Sequence, residues 1–289
     1  MPGSPYTDLD RPPLDARRLT RALVAPNGPW NRLELRAETG STNADAARAA
    51  RDGEPAGLVV VAERQTAGRG RQGRQWESPA RAGLAVSVLL RPGLPEPDRD
   101  WPAAPAAAYG WLPLLAGVAL VEAVTRLAEI DAALKWPNDL LVGAAKCAGI
   151  LAEAVPDVGA APAIVVGVGL NVTLRADELP VNPSGLPATS LQLAGAKATD
   201  RDPLLRALLR AFASWYDRWR LAGADAEACG LRRAYQERCD TIGRDVRVLL
   251  PDGAQLTGAA TGIDADGRLL VRTAAGERAV AAGDVLHLR

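Results

Sequence analysis

Polar and apolar positions alternate with several periods along the chain, and each change of period marks an element. Leu14 to Val24 carries a short helical repeat. Leu33 and Leu35 alternate with charged neighbours between Arg32 and Ala37, as in a half-exposed strand. Ala44 to Arg51 is an alanine-rich helix, and Thr42 with Asp45 three residues on predicts its N-cap. The β-branched run Leu58 to Ala62 reads as a buried strand, as does Gly83 to Leu90. Arg91 to Ala108 is proline-rich and is expected to be a mobile surface loop. Trp111 to Ala128 then forms a largely buried helix whose polar face holds Glu122, Arg126 and Glu129.

Four short strand-like segments follow: Leu134 to Trp136, Asp139 to Val142, Cys147 to Val155 and Ala163 to Val172. Pro203 to Leu221 is a helix with Asp202 as expected N-cap, Pro203 at its first position and Gly223 as its stop. Its stripe of Leu204, Leu208, Phe212, Trp215 and Trp219 reads as core and not as an aromatic binding platform. Beyond Ile242 the pattern shortens. Val246, Val248 and Leu250 alternate, Asp252-Gly253 and Asp266-Gly267 mark turns, and Val285-Leu286 ends the series, which predicts a small β-barrel. The expected division is a lead-in over residues 1–30, a main domain over 31–240 and a barrel over 241–289.

Composition narrows the chemistry. The 289 residues hold 34 Lys plus Arg and 34 Asp plus Glu, so no global field draws the chain to nucleic acid or anionic membrane. Cys147, Cys229 and Cys239 form no CxxC pair, which suits reduced thiols in a cytoplasmic protein. The one histidine, His287, makes a histidine triad or multi-histidine metal centre improbable. No apolar h-region marks a signal peptide near the start, and the apolar run Tyr109 to Val121 stops too soon to span a bilayer. Lysine is rare: Lys135, Lys146 and Lys197 are all there are, and two of them lie eleven residues apart. In an arginine-rich chain, such a lysine either marks a place where a compact ammonium matters or is a chance survivor of the arginine bias.

Those two lysines fall in two of four segments that carry candidate chemistry. Gly68-Arg69-Gly70-Arg71-Gln72-Gly73-Arg74-Gln75-Trp76 formally satisfies GxGxxG, but it leads towards another strand instead of a helix, so the dinucleotide reading fails. What remains is a glycine-permitted loop with three guanidinium groups, able to wrap a polyanion, or else a solvated or RNA-binding basic loop. Lys135-Trp136-Pro137-Asn138-Asp139 puts a cation, an amide and a carboxylate within five residues, or is simply a charged β-turn. Lys146-Cys147-Ala148-Gly149-Ile150-Leu151 places a lysine at the mouth of an apolar strand, where it could equally discourage edge pairing. The glycines of Gly167-Val168-Gly169-Leu170-Asn171 imply close approach of a ligand or backbone.

In this order, and with Ser41-Thr42-Asn43 before them, these motifs resemble the biotin–protein ligase family, over residues 31–289. The resemblance implies an α+β fold, with a mixed β-sheet and flanking helices related to class II aminoacyl-tRNA synthetases, and a C-terminal SH3-like β-barrel. It implies that Ser41, Thr42, Asn43 and Gln65 hold biotin's ureido head and neighbouring atoms, with Gly68 and Gly149 on the same side. Arg69, Gly70 and Arg71 would lie on a loop closing over biotin and its adenylate. Arg71, Arg74, Trp76, Lys135, Asn138 and Asn171 would form the nucleotide side. Lys146 would reach the reacting carboxylate and phosphate, and Lys146, Arg69, Arg71 and Lys135 would be catalytic. Asp139 would position Mg²⁺ directly or through Lys135, with ATP and biotin as co-substrates. The pattern departs at Cys147, where the family more often has a larger aliphatic residue.

The implied partners are biotin carboxyl carrier domains of acyl-CoA carboxylases, with the enzyme a monomer or weak homodimer. Bifunctional members carry an N-terminal winged helix-turn-helix. Only about 30 residues precede the catalytic region here, so no DNA binding is expected and the monofunctional type is. Two other readings compete. A lipoate–protein ligase would favour an RRxxGGG-type segment. A nucleic-acid-binding regulator would show a basic domain and a recognition helix.

The residue types suit adenylation. A carboxylate attacking the α-phosphate of ATP meets like-charge repulsion, and fixed cations in a closed site offset it. An acyl-adenylate hydrolyses if water enters, so a loop with Gly68, Gly70 and Gly73 as hinges has a purpose. Acyl transfer to an amine needs only alignment, so the lack of a catalytic histidine is no obstacle.

Overall fold

The computed structural model describes residues 11–156, 161–180 and 186–288, so residues 1–10 of the expected lead-in lie outside it. The chain runs through α1 (Ala16–Leu23), β1 (Arg32–Arg36), α2 (Thr42–Arg51), β2 (Leu58–Ala62), β3 (Gly83–Leu90) and α3 (Trp111–Ala128). There follow β4 (Ala132–Lys135), β5 (Asp139–Val142), β6 (Ala145–Val155), β7 (Ala163–Asn171), α4 (Arg201–Leu221) and α5 (Leu231–Gln236). The last segment holds β8 (Asp245–Leu249), β9 (Gln255–Ile263), β10 (Leu269–Thr273), β11 (Gly276–Val280) and β12 (Asp284–His287).

β1 to β7 form one mixed sheet in the order β1-β2-β3-β7-β6-β5-β4. Only β1 and β2 pair in parallel; the remaining neighbours are antiparallel. Alternation along each strand divides the side chains between two faces. One face packs on α2 through Leu58, Val60, Leu89 and Val165 against Ala46, Ala47 and Ala50. The other packs on α3 and α4, with Val59, Val61, Val86 and Ile150 in the same core as Leu115, Leu208 and Phe212. All five residues of the α4 stripe are buried, as a core stripe requires. β8 to β12 make a five-stranded antiparallel sheet, order β11-β10-β9-β8-β12, which is the small SH3-like unit. Its Val246, Val248 and Leu269 join the main core. Two tryptophans fasten it there: Trp111 donates Nε1–H to Ala265 O at 2.7 Å, and Trp136 to Gly267 O at 3.2 Å.

Several local expectations need correction. Ser41, not Thr42, caps α2, accepting from the Ala44 N–H, because the Thr42 hydroxyl is used elsewhere. α4 begins two residues earlier than expected and is capped by Asp200, so Pro203 lies inside the first turn, where no N–H is needed. The segment 91–108 is tied down. Trp101 is buried and donates to Asp217, and the buried Arg220 guanidinium donates to Leu94 O and Pro102 O. The apolar run also continues further, as helical turns over Ala106–Ala128, 23 residues that are long and apolar enough to cross a bilayer. Its most apolar stretch is mostly buried inside the protein, which makes it a core helix. The short α5 was not announced by the hydrophobic pattern.

Candidate active site

A cavity of about 1010 Å³ opens on the α2 side of the sheet, between β6, β7, the 68–76 hairpin and β12. Its floor is made of glycine. Gly149 pairs with Gly169, and Leu151 with Gly167, so the missing side chains fall on one face of β6 and β7. A Cβ on Gly169 would stand 2.5 Å from the Trp76 ring, and one on Gly167 would stand 2.0 Å from Asn43 Oδ1. Something does approach these glycines closely, but it is the side chains of Trp76 and Asn43 and not the expected ligand or backbone.

The neutral end is built on the start of α2. The Thr42 N–H donates to Gln65 Oε1 at 2.8 Å. Since an N–H can only donate, that contact fixes the amide's orientation and leaves Nε2 as the Gln65 donor group. The Thr42 hydroxyl lies 3.0 Å from the same oxygen and 2.7 Å from the Ser87 hydroxyl. Ser87, fully buried on β3, also lies 2.6 Å from Asn43 Oδ1, which it must donate to, because that oxygen only accepts. Asn43 Nδ2 donates to Leu151 O at 3.2 Å and to Glu153 Oε2 at 2.7 Å. Ser41, Thr42, Asn43 and Gln65 all line the cavity, so this end offers directed hydrogen-bonding groups without net charge.

The other end is cationic, and a bulge turns one of its cations inward. The register of β5 on β6 slips between Leu140 and Leu141: Leu140 faces Ala148, but Leu141 faces Lys146, which leaves Cys147 without an opposite number. That slip moves Lys146 onto the face of Asp139 and Gly149, towards the cavity and not the core. Lys146 Nζ then lies 2.5 Å from Asp139 Oδ1 and 5.8 Å from the centre of the Trp76 ring. Asp139 pairs in turn with Lys135 across the β4–β5 turn. Burial lowers the Lys135 pKa, against the pull of Asp139, and burial likewise lowers that of Arg71. Arg71 Nη1 donates to Asn138 Oδ1 at 3.2 Å, while Asn138 Nδ2 holds Ile150 O at 2.9 Å. Asn171 donates to Thr189 O, and its buried Oδ1 has no partner among the described residues, so an acceptor is left in the cavity wall. Cys147 is buried, its Sγ–H lying 3.4 Å from Asn171 O, and burial pushes its thiol up to about 12. It packs as a small hydrophobe.

The arginine loop is a closed hairpin. Trp76 N–H donates to Gly68 O at 2.9 Å, Gly70 N–H to Arg74 O at 2.6 Å, and the tip turns through Gln72 and Gly73 at φ 54° and 72°. A side chain on Gly68 would meet Trp76 O at 2.3 Å, so this glycine closes the hairpin, whereas Gly70 has only ordinary contacts. Gly68 is also the one predicted site residue outside the cavity lining; Arg69, Gly70, Arg71, Arg74 and Trp76 are in it. Arg74 forms an ion pair with Asp284, and Arg71 donates to Gly283 O at 3.3 Å, so the hairpin rests on the C-terminal unit.

Residues 40–171 match the Biotin/lipoate A/B protein ligase family, and residues 241–288 match the Biotin protein ligase C terminal domain. The chain is 44% identical to the biotin--[acetyl-CoA-carboxylase] ligase of Mycobacterium tuberculosis, over 98% of this chain and 100% of that protein. This chain belongs to the biotin–protein ligase family. It is also 32% identical to the bifunctional ligase/repressor BirA of Bacillus spizizenii, over 85% of this chain and 70% of that protein. The biotin protein ligase of Aquifex aeolicus, solved in complex with biotin and ATP, superposes with a TM-score of 0.70 at 27% identity, covering 90% of this chain and 100% of that one.

For a biotin–protein ligase, the sequence reading missed the contribution of β12. Asp284, Val285, Leu286 and His287 line the cavity from the C-terminal unit, and no motif around them signals it. Burial, then Lys135, lower the His287 pKa to about 4. Ser87 and Glu153 were missed too, because each lies inside a largely apolar strand; Ser87 touches the site through Thr42 and Asn43 of α2, and Glu153 through Asn43 and Arg69. Among the described residues no cluster of three or more His, Cys, Asp or Glu side chains could hold a metal. Asp139 is a single carboxylate already paired with Lys146, so the described residues build no cage for Mg²⁺. One carboxylate beside cations does fit a Mg²⁺ ion that arrives on nucleotide phosphates.

Proposed function

We propose that this chain activates biotin with ATP and transfers it to a lysine of a biotin carboxyl carrier domain of an acyl-CoA carboxylase. A biotin carboxylate oxygen bonds to the α-phosphorus of ATP, the bond from that phosphorus to the bridging oxygen breaks, and pyrophosphate leaves. The lysine amine then attacks the carbonyl of biotinyl-5′-adenylate, AMP departs, and the new amide loses a proton. The single observation that carries this reading is the polarity of one cavity, neutral and hydrogen-bonding at Ser41, Thr42, Asn43 and Gln65 but cationic at Arg71, Lys135 and Lys146.

In this reading the Gln65 amide and the Ser41 hydroxyl donate to the ureido carbonyl. Lys146 reaches the carboxylate and α-phosphate, and Lys135 and Arg71 offset charge on the phosphoryl oxygens. Trp76, Asn138 and Asn171 flank the nucleotide, with Arg74 at the rim. Arg69, Gly70 and Arg71 cover the adenylate. Asp139 orients Lys146 and supplies at most one ligand to the nucleotide's Mg²⁺. The three cysteines are free thiols, which suits the reducing cytoplasm where carboxylases work.

The test is pyrophosphate release from MgATP with and without biotin, followed by mass spectrometry of a carrier domain. Release that needs biotin, and a carrier gaining one biotinyl group, are expected. Release that ignores biotin, or that lipoate supports better, would remove the proposal.

A further inference from the structure

We propose that Glu153 is a positioning residue through which the seating of the biotin head is coupled to closure of the arginine hairpin. The proposal rests on the biotin reading above. Glu153 belongs to β6, and it is not among the residues assigned to bind biotin or nucleotide. Its Oε2 accepts from two directions at once: from Asn43 Nδ2 at 2.7 Å and from Arg69 Nη2 at 3.3 Å. Those donors come from the first turn of α2 and from the hairpin, so one oxygen joins three segments.

Asn43 has little freedom to reorient. Its Oδ1 accepts from Ser87, and its Nδ2 hydrogens serve Leu151 O and Glu153. Any ligand that presses on Asn43 therefore presses on the Glu153 carboxylate. A glutamate side chain otherwise has three rotatable torsions, and the Asn43 bond aims its charge at the hairpin. Arg69 is the more exposed member, with 48% of its side chain exposed against 30% for Glu153. So exposed a pair contributes little to folding, and its effect belongs in loop kinetics.

The experiment uses the full chain and ATP labelled at the α-phosphate. Biotinyl-adenylate is formed in a single turnover, and its escape without carrier is timed for wild type, Glu153→Gln, Arg69→Ala and the double variant. Glu153→Gln keeps an oxygen for Asn43 but lacks the charge, and is expected to speed escape roughly two- to five-fold. Arg69→Ala is expected to speed it as well, and the double variant to be no faster than Arg69→Ala alone. Glu153→Ala also removes the acceptor of Asn43, so it is expected to raise the biotin Kd roughly three- to ten-fold by titration calorimetry. Equal escape from wild type and Glu153→Gln, or multiplying effects in the double variant, would overturn the coupling. A wild type that forms no adenylate overturns the underlying reading and this one with it, a result distinct from an adenylate that forms and escapes equally from all four proteins.

Discussion

At the scale of single residues, Lys146 and the floor glycines carry the sharpest expectations. Lys146 is a strand residue turned inward by a slipped register and held 2.5 Å from Asp139. Lys146→Ala is expected to lower biotin-dependent pyrophosphate exchange on the order of 10²–10³-fold, with an unchanged circular dichroism spectrum. Near-normal exchange would take Lys146 out of the chemistry. The two floor glycines separate the substrates. Alanine at Gly169 meets the Trp76 ring, and alanine at Gly167 meets Asn43. Overpacking of this kind costs about 1–3 kcal/mol, so Gly169→Ala is expected to raise the KM for ATP, and Gly167→Ala that for biotin, each about ten-fold. If both variants changed the same KM, the division of the cavity into two ends would be wrong. The glycines and the lysine were legible as a spaced pattern. Ser87 was not, since a lone serine in an apolar strand looks the same whether it faces core or site.

At the scale of elements, the 68–76 hairpin and the strand β12 matter most. The sequence excludes a phosphate-binding helix after GRGRQG, and the structure indeed continues as a hairpin. What no spacing shows is the surface on which the hairpin rests. Arg74 meets Asp284 at the start of β12, and Arg71 meets Gly283 O. Asp284→Asn removes the charge and keeps the shape. A partly exposed pair of this kind is worth about 0.2–1 kcal/mol, so limited trypsin digestion at the hairpin arginines is expected to quicken up to about five-fold. An unaltered cleavage rate would mean that the C-terminal unit does not steady the hairpin. The bulge in β6 belongs to this scale as well: K-x-A-G-I-L reads as a regular strand, and regular alternation would have sent Lys146 to the core face.

At the scale of the whole molecule, the C-terminal unit is fastened by Trp111, Trp136 and a core that runs through both sheets. His287 lies in that junction, with Nε2 at 3.1 Å from Thr241 Oγ1, and faces Lys135, Asp240 and Arg244. Its pKa falls from 6.5 to about 4 on folding, chiefly through burial. Over that window the unfolded chain binds the extra proton, so acid favours unfolding: the contribution of neutral His287 is complete above pH 6.5 and is lost towards pH 4. Urea midpoints are expected to fall between pH 7 and pH 5 in wild type, and less steeply in His287→Gln. Parallel profiles would show that His287 stays accessible to protons. The sequence reading set this residue aside because one histidine cannot make a triad. That inference about catalysis says nothing about a packing role.

What the chain determined by itself was local. Period, turn residues and rare lysines are encoded within a few positions of one another, so the succession of strands and helices and the core stripe of α4 could be read directly, whereas the site residues came from the resemblance that the ordered motifs carry. The tertiary structure alone decided which of these meet: Arg74 with Asp284 across 210 positions, Asn43 with Glu153 across 110, and the slip that turns Lys146 inward. Contacts between distant segments depend on strand order, register and docking. These come from the balance of packing over the whole molecule, and no short stretch of sequence contains that balance.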